Sequence, residues 1–234
     1  MASISRRSAG YLAALVLGAV VAGCSETEFG ESITLPRERH ASVVDEFARG
    51  RPLRLPGDAT LNLADSQRSA TGAGAAESSA DSSGRARAVA SAPGRGAAAA
   101  EFQLGHVLDN RGDAPLDVTA RFDVDYACRL ESDPADLAKE ADTLGVRVFI
   151  RDSNRRVLGQ MTLTQTDQFS GPAQWSGRQT PSFEVTLEPG LAYYFVLAGR
   201  ATATGTEDTP VSAEITVHSL AVELTPRKSG EPRS

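Results

Sequence analysis

The chain has 234 residues, 41% of them hydrophobic, and a formal net charge of -6. That is a globular balance with room for one domain and additional segments. The excess of acid excludes a broad nucleic-acid surface, which needs clustered Lys and Arg to displace counterions.

Residues 1 to 23 fall into three parts: Arg6 and Arg7, an apolar stretch from Tyr11 to Ala22, and small residues at Ala22 and Gly23. This is the layout of an export signal. An apolar stretch of about 12 residues is too short to cross a hydrocarbon core of roughly 30 Å as a helix. The four residues Val21-Ala22-Gly23-Cys24 resemble the lipobox of bacterial lipoproteins. The resemblance covers these positions alone and implies that Cys24 is acylated and becomes the new amino terminus. Several acyl chains make a stable anchor where one gives only marginal binding. Ser25 in place of the Asp that commonly retains such proteins implies an outer-membrane destination, on its periplasmic or surface face, in a cell with two membranes. With Cys24 acylated, Cys128 is the only remaining thiol, so no intramolecular disulfide is expected.

Residues 24–65 read as a tether. Within them Val43, Val44, Phe47 and Ala48 have helical spacing, with Pro36 in the first turn and Gly50 at the stop, which predicts a short amphipathic helix over 36–49. Residues 66–100, rich in Ala, Gly and Ser, carry few large apolar side chains to offset chain entropy and predict a disordered linker. A flexible segment spanning residues 25–100 has an r.m.s. reach of about 50 Å.

From Glu101 the period becomes two. Val118, Ala120, Phe122, Val124, Tyr126, Cys128 and Leu130 share one face, and Thr119, Arg121, Asp123, Asp125 and Arg129 the other. Similar runs at 102–108, 146–151, 157–166, 183–187, 191–203 and 211–224 bring the number of strands to about seven. Pro189-Gly190 suits the centre of a type II turn, which predicts a hairpin between its flanking strands. In the last run the apolar face shifts between Val217 and Leu220, the mark of a β-bulge near His218 or Ser219. Asp133-Pro134 can start a short helix in the 131–144 crossover. The expected fold is all-β: an antiparallel two-sheet sandwich over 101–226, immunoglobulin-like or jelly-roll, followed by a disordered tail at 227–234.

No hydrolase, P-loop or zinc motif occurs, and His is found only at positions 40, 106 and 218. No cofactor, metal or catalytic residue is therefore expected. His106 falls on an apolar face with Phe102, Leu104 and Leu108, as a satisfied core histidine does. Asp123 and Asp125 fit a solvated, charge-balanced face with Arg121 and Arg129. Asp109, Asn110, Asp113 and Asp117 offer loop oxygens without EF-hand spacing, and Arg111-Gly112-Asp113 looks like the integrin-binding tripeptide but also suits a tight turn. Cys128 reads as a small buried hydrophobe.

The one ligand-binding candidate is the stretch 170–181, read as a loop, where Trp175 with Gln174, Arg178 and Gln179 can form a stacking platform for a sugar. The alternative is that Trp175 turns inward and plugs the end of the sandwich. The expected function is a membrane-anchored, non-catalytic module for an envelope protein partner. A surface polysaccharide bound through Trp175 comes second, and an enzyme built from Asp123, Asp125 and His106 third.

Overall fold

Alternation in the sequence becomes strand on both sides of Glu101. The computed structural model describes residues 41–42, 52–57, 59–131, 144–166, 173–208 and 210–227. The signal, the lipobox with Cys24, the 132–143 crossover with its Asp133-Pro134 start, and 228–234 lie outside the described residues.

Among the described residues thirteen strands follow one another: β1 (Ala41–Ser42), β2 (Leu53–Leu55), β3 (Leu63–Gly72), β4 (Ala75–Ala80), β5 (Ala86–Ala92), β6 (Gly96–Asp109), β7 (Leu116–Glu131), β8 (Leu144–Asp152), β9 (Val157–Gln165), β10 (Ala173–Gln179), β11 (Ser182–Leu187), β12 (Ala192–Gly205) and β13 (Val211–Pro226). One sheet has the order β1-β6-β12-β8-β9, with β3 also on β6. The other has the order β10-β7-β13-β5-β4, with β11 also on β7 and β2 also on β13. All pairs are antiparallel except β1 with β6. The all-β two-sheet sandwich expected from the alternation is thus the observed architecture, with more strands than the seven expected.

The inner faces interdigitate as the pattern requires. Phe122, Val124 and Tyr126 of β7 meet Ile215, Leu220 and Val222 of β13 and, from the opposite sheet, Phe102, Leu104, Val148, Ile150 and Phe195, all essentially inaccessible to water. Burying one such side chain is worth about 1.5–3 kcal/mol. Pairing slips between Val217 and Ser219, so the bulge expected near His218 is present and leaves that histidine exposed.

The expectation of a disordered linker at 66–100 is corrected: this stretch forms most of β3, all of β4 and β5 and the start of β6. Its small residues are what the packing there needs. Ala86, Ala88, Ala90 and Ala92 alternate inward on β5, and Ala98, Ala100, Ala201 and Ala203 do so on β6 and β12, all buried. The turn between β3 and β4 comes so close to β6 that a Cβ on Gly74 would stand 2.1 Å from the Ala97 carbonyl oxygen. One on Gly205 would stand 2.4 Å from that of Ala92. Hydrogen bonding to long neighbours supplies the order that side-chain size does not, since β3 pairs with β6 from Leu63 to Gly72.

The tether over 24–65 is also corrected in its last part. Leu53 and Leu55 of β2 pair with Val222–Leu224 and are buried, as are Leu61 and Leu63. The predicted helix over 36–49 fails at Ala41–Ser42, which instead lie along Leu108–Asp109. That edge of β6 is open there because β3 ends opposite Gly105. Between them Asn62 imitates a strand residue: its Oδ1 accepts from Val107 N at 2.7 Å and its Nδ2 donates to Val107 O at 3.0 Å. The rest of 36–49 lies outside the described residues.

The Pro189-Gly190 turn forms, with Gly190 at φ 77°, but its flanking strands are not a hairpin. The chain crosses from β11 in one sheet to β12 in the other. Two polar anchors hold this crossing. The Tyr193 hydroxyl bonds the backbone N–H and C=O of Glu188. The buried Asn110 side chain donates to Leu187 O at 2.7 Å and Ala114 O at 3.1 Å and accepts from Gly112 N at 3.1 Å.

Candidate functional site

The stretch 170–181, expected as a loop, contains an edge strand. β10 pairs with Val124–Leu130 of β7, and its alternation decides which side chains meet. Trp175, Gly177 and Gln179 face inward and are partly covered, whereas Gln174 and Arg178 face outward and are exposed. The four residues expected to form one ligand platform are therefore divided between opposite sides of the strand, Trp175 and Gln179 inward and Gln174 and Arg178 outward.

Trp175 packs on the core. Its ring lies 4.3 Å from that of Tyr126 at a tilt of 38°, close enough for a stabilising aromatic pair. Gly177 makes the space, since a Cβ there would sit 3.3 Å from the indole. Gln179 Nε2 reaches the Tyr126 hydroxyl at 3.2 Å and Leu163 O of β9 at 3.2 Å, so this edge of one sheet is tied to the edge of the other. Burial pushes the Tyr126 phenol up to about 12. The plugging role is the one the geometry favours.

Arg178 is engaged on the outer face. Its guanidinium donates to both carboxylate oxygens of Asp123, and this pairing holds the Asp123 carboxyl below the usual carboxylate range. Asp125 stands opposite Arg178 in register. On the opposite sheet's inner face, His106 is 2% exposed, with Asn62 Nδ2 at 3.5 Å from its Nε2. The core thus separates His106 from Asp123 and Asp125, and the three share no site.

The oxygen-rich 109–117 loop is occupied by its own fold. Asp109 pairs with Arg111 at 3.1 Å, Asn110 makes the bonds described above, and Asp117 accepts from Thr186 Oγ1 at 2.6 Å. Among the described residues no group of three His, Cys, Asp or Glu is placed to hold a metal ion. No helix among them is long and apolar enough to cross a membrane.

Cys128 is buried in the core, and loss of solvent pushes its thiol up to about 12. Reactivity follows the thiolate, so iodoacetamide at pH 8 is expected to leave Cys128 unmodified in the native protein and to alkylate it in guanidinium. Peptide mass mapping reads the result, and native labelling would contradict the burial.

Strand alternation did not reveal a shallow depression on the outer face of the first sheet. Gly145 forms its floor, and Arg147, Arg200, Thr162 and Gln165 surround it, enclosing about 100 Å³. The only sequence signal for it was a glycine at the start of a strand run.

No family model matches the chain, and no curated protein matches it. Among solved structures it has a likeness to one described as "Structure of infectious bursal disease virus Gx strain". The likeness covers 77% of this chain and 38% of that one, at 8% identity and a TM-score of 0.20. The chain thus spans well under half the length of that viral protein, and a score of 0.20 carries no inference about fold or function.

Proposed function

We propose that the chain is a membrane-anchored bacterial lipoprotein whose β-sandwich binds or scaffolds an envelope protein, without catalysis. The observation that carries this is Val21-Ala22-Gly23-Cys24 behind a basic and apolar leader, in a chain whose later residues form a sandwich. Acyl chains on Cys24 would hold the domain at the membrane, each buried methylene contributing about 0.8 kcal/mol. The side chains that would have suggested other activities are used in the fold: Trp175 covers Tyr126, Asp123 holds Arg178, and His106 lies in the core. A binding module needs only a surface, and sandwiches serve many such roles.

Labelling with palmitate tests the anchor. The native chain is expected to incorporate label and to pellet with membranes, and Cys24→Ser to do neither; equal labelling of both would refute it. Cross-linking of the acylated protein in its native membrane, followed by mass spectrometry, tests the partner. One recurring protein attached within residues 53–227 is expected, and its absence would overturn the partner.

A further inference from the structure

We propose that the depression around Gly145 is a site for a carboxylate presented by an acidic protein segment. This deepens the partner-binding role above and rests on it for the source of the carboxylate. The starting observation is a glycine that packing does not demand. At Gly105 a Cβ would lie 2.0 Å from Phe195 O, at Gly159 2.6 Å from the Phe183 ring, and at Gly199 2.2 Å from the Phe102 ring. At Gly145 nothing among the described residues lies within 4 Å, and its backbone is not left-handed. A glycine inside a strand weakens it and marks places where a ligand or another chain comes close.

The register sets what surrounds this gap. Gly145 lies between Arg200 on β12 and Gln165 on β9, and Arg147 lies between Ala198 and Thr162. Residues directly opposite one another share a face, so both guanidiniums, the Thr162 hydroxyl and the Gln165 amide border the same depression. Two contacts hold the arginines in place: Glu101 Oε1 is 3.2 Å from Arg200 Nε, and the Arg147 guanidinium carbon is 5.6 Å from the centre of the Phe149 ring. A planar guanidinium fork matches a carboxylate with two parallel hydrogen bonds. About 100 Å³ admits such a group with one or two waters, at about 30 Å³ each.

The test follows backbone amide shifts of the full-length chain in micelles during titration with an acetylated, amidated tetraglutamate peptide, with tetraglutamine as control. Saturable shifts at Gly145 and Thr162 are expected with the acidic peptide alone, weakening as salt is raised. Gly145→Val puts a branched side chain into the floor, where its Cβ has no described atom within 4 Å. It should keep the melting temperature and weaken binding at least tenfold, and Arg147→Gln and Arg200→Gln should do likewise. Undiminished binding by these folded variants would overturn the site, as would preferential binding of phosphatidylglycerol vesicles through the same residues. In the membrane cross-linking experiment, equal capture of one partner by native chain and Gly145→Val would refute the site and leave the partner standing. No recurring partner, with saturable peptide binding intact, would refute the partner and leave the site standing.

Discussion

Gly74→Val is expected to lower the melting temperature by about 10 °C and to open residues 66–100 to trypsin. The added Cβ would stand 2.1 Å from Ala97 O, 2.6 Å from Ala97 C and 3.0 Å from Thr71 O, all backbone atoms that no side-chain rotation can move. The Gly74 N–H also donates to Thr71 O at 3.0 Å, which fixes the turn between β3 and β4. Relief requires the β3–β4 turn to pull away from β6 and from its own Thr71, which pair with each other, and overpacking of this kind costs about 3 kcal/mol or more. At roughly 2–4 °C per kcal/mol for a domain of this size, that gives the expected shift. Arg87 lies within β5, bound to Glu77 and Glu214, so cleavage after it reports the loss directly. An unchanged melting curve would mean that residues 66–100 are the flexible linker their composition suggested.

Asn110→Ala is expected to be nearly as costly. Its side chain is fully buried and serves three backbone groups: the carbonyls of Leu187 and Ala114 and the N–H of Gly112. The alanine methyl leaves all three without that partner, and a buried polar group left unsatisfied costs about 1–3 kcal/mol. Partial access of water to the exposed 111–115 turn brings the sum to about 3 kcal/mol, or about 6–12 °C in melting temperature. Leu187 marks the point where the chain leaves one sheet for the other, so the loss should show in amide exchange at 187–192 before the rest of the domain. A shift under about 2 °C would contradict the anchoring role.

The alternation of large residues was legible wherever one strand face buries Val, Leu, Phe or Tyr, which is why β6 to β9 and β11 to β13 could be read from the sequence. The bulge at His218 was legible for the same reason, as a break in an otherwise strict period. The alternation Ala86, Ala88, Ala90, Ala92 was equally regular but went unread, because alanine contributes little area and small residues resemble those of unfolded tethers. What decides their role is how close the opposite sheet comes, and that sheet is built from β6 and β12, which pair although about a hundred residues apart in sequence. The turn at Pro189-Gly190 shows a related limit. Its backbone conformation followed from Pro and Gly, but whether the flanking strands pair depends on Tyr193 and Asn110. At the ligand candidate, Trp175, Gln174 and Arg178 were grouped by proximity in sequence, and a strand separates such neighbours onto opposite faces.

The uneven register of β9 also bears on solubility. Its pairing to β8 slips twice, between Val146 and Arg147 and between Ile150 and Arg151, on a strand that exposes Val157 and Met161. On the same flank, β10 and β11 share the edge of β7 but are interrupted at Thr180-Pro181. A neighbouring copy approaching from this side finds no long, evenly spaced row of amides on which to template. This flank is therefore a poor template for strand addition, even though two of its apolar side chains face water.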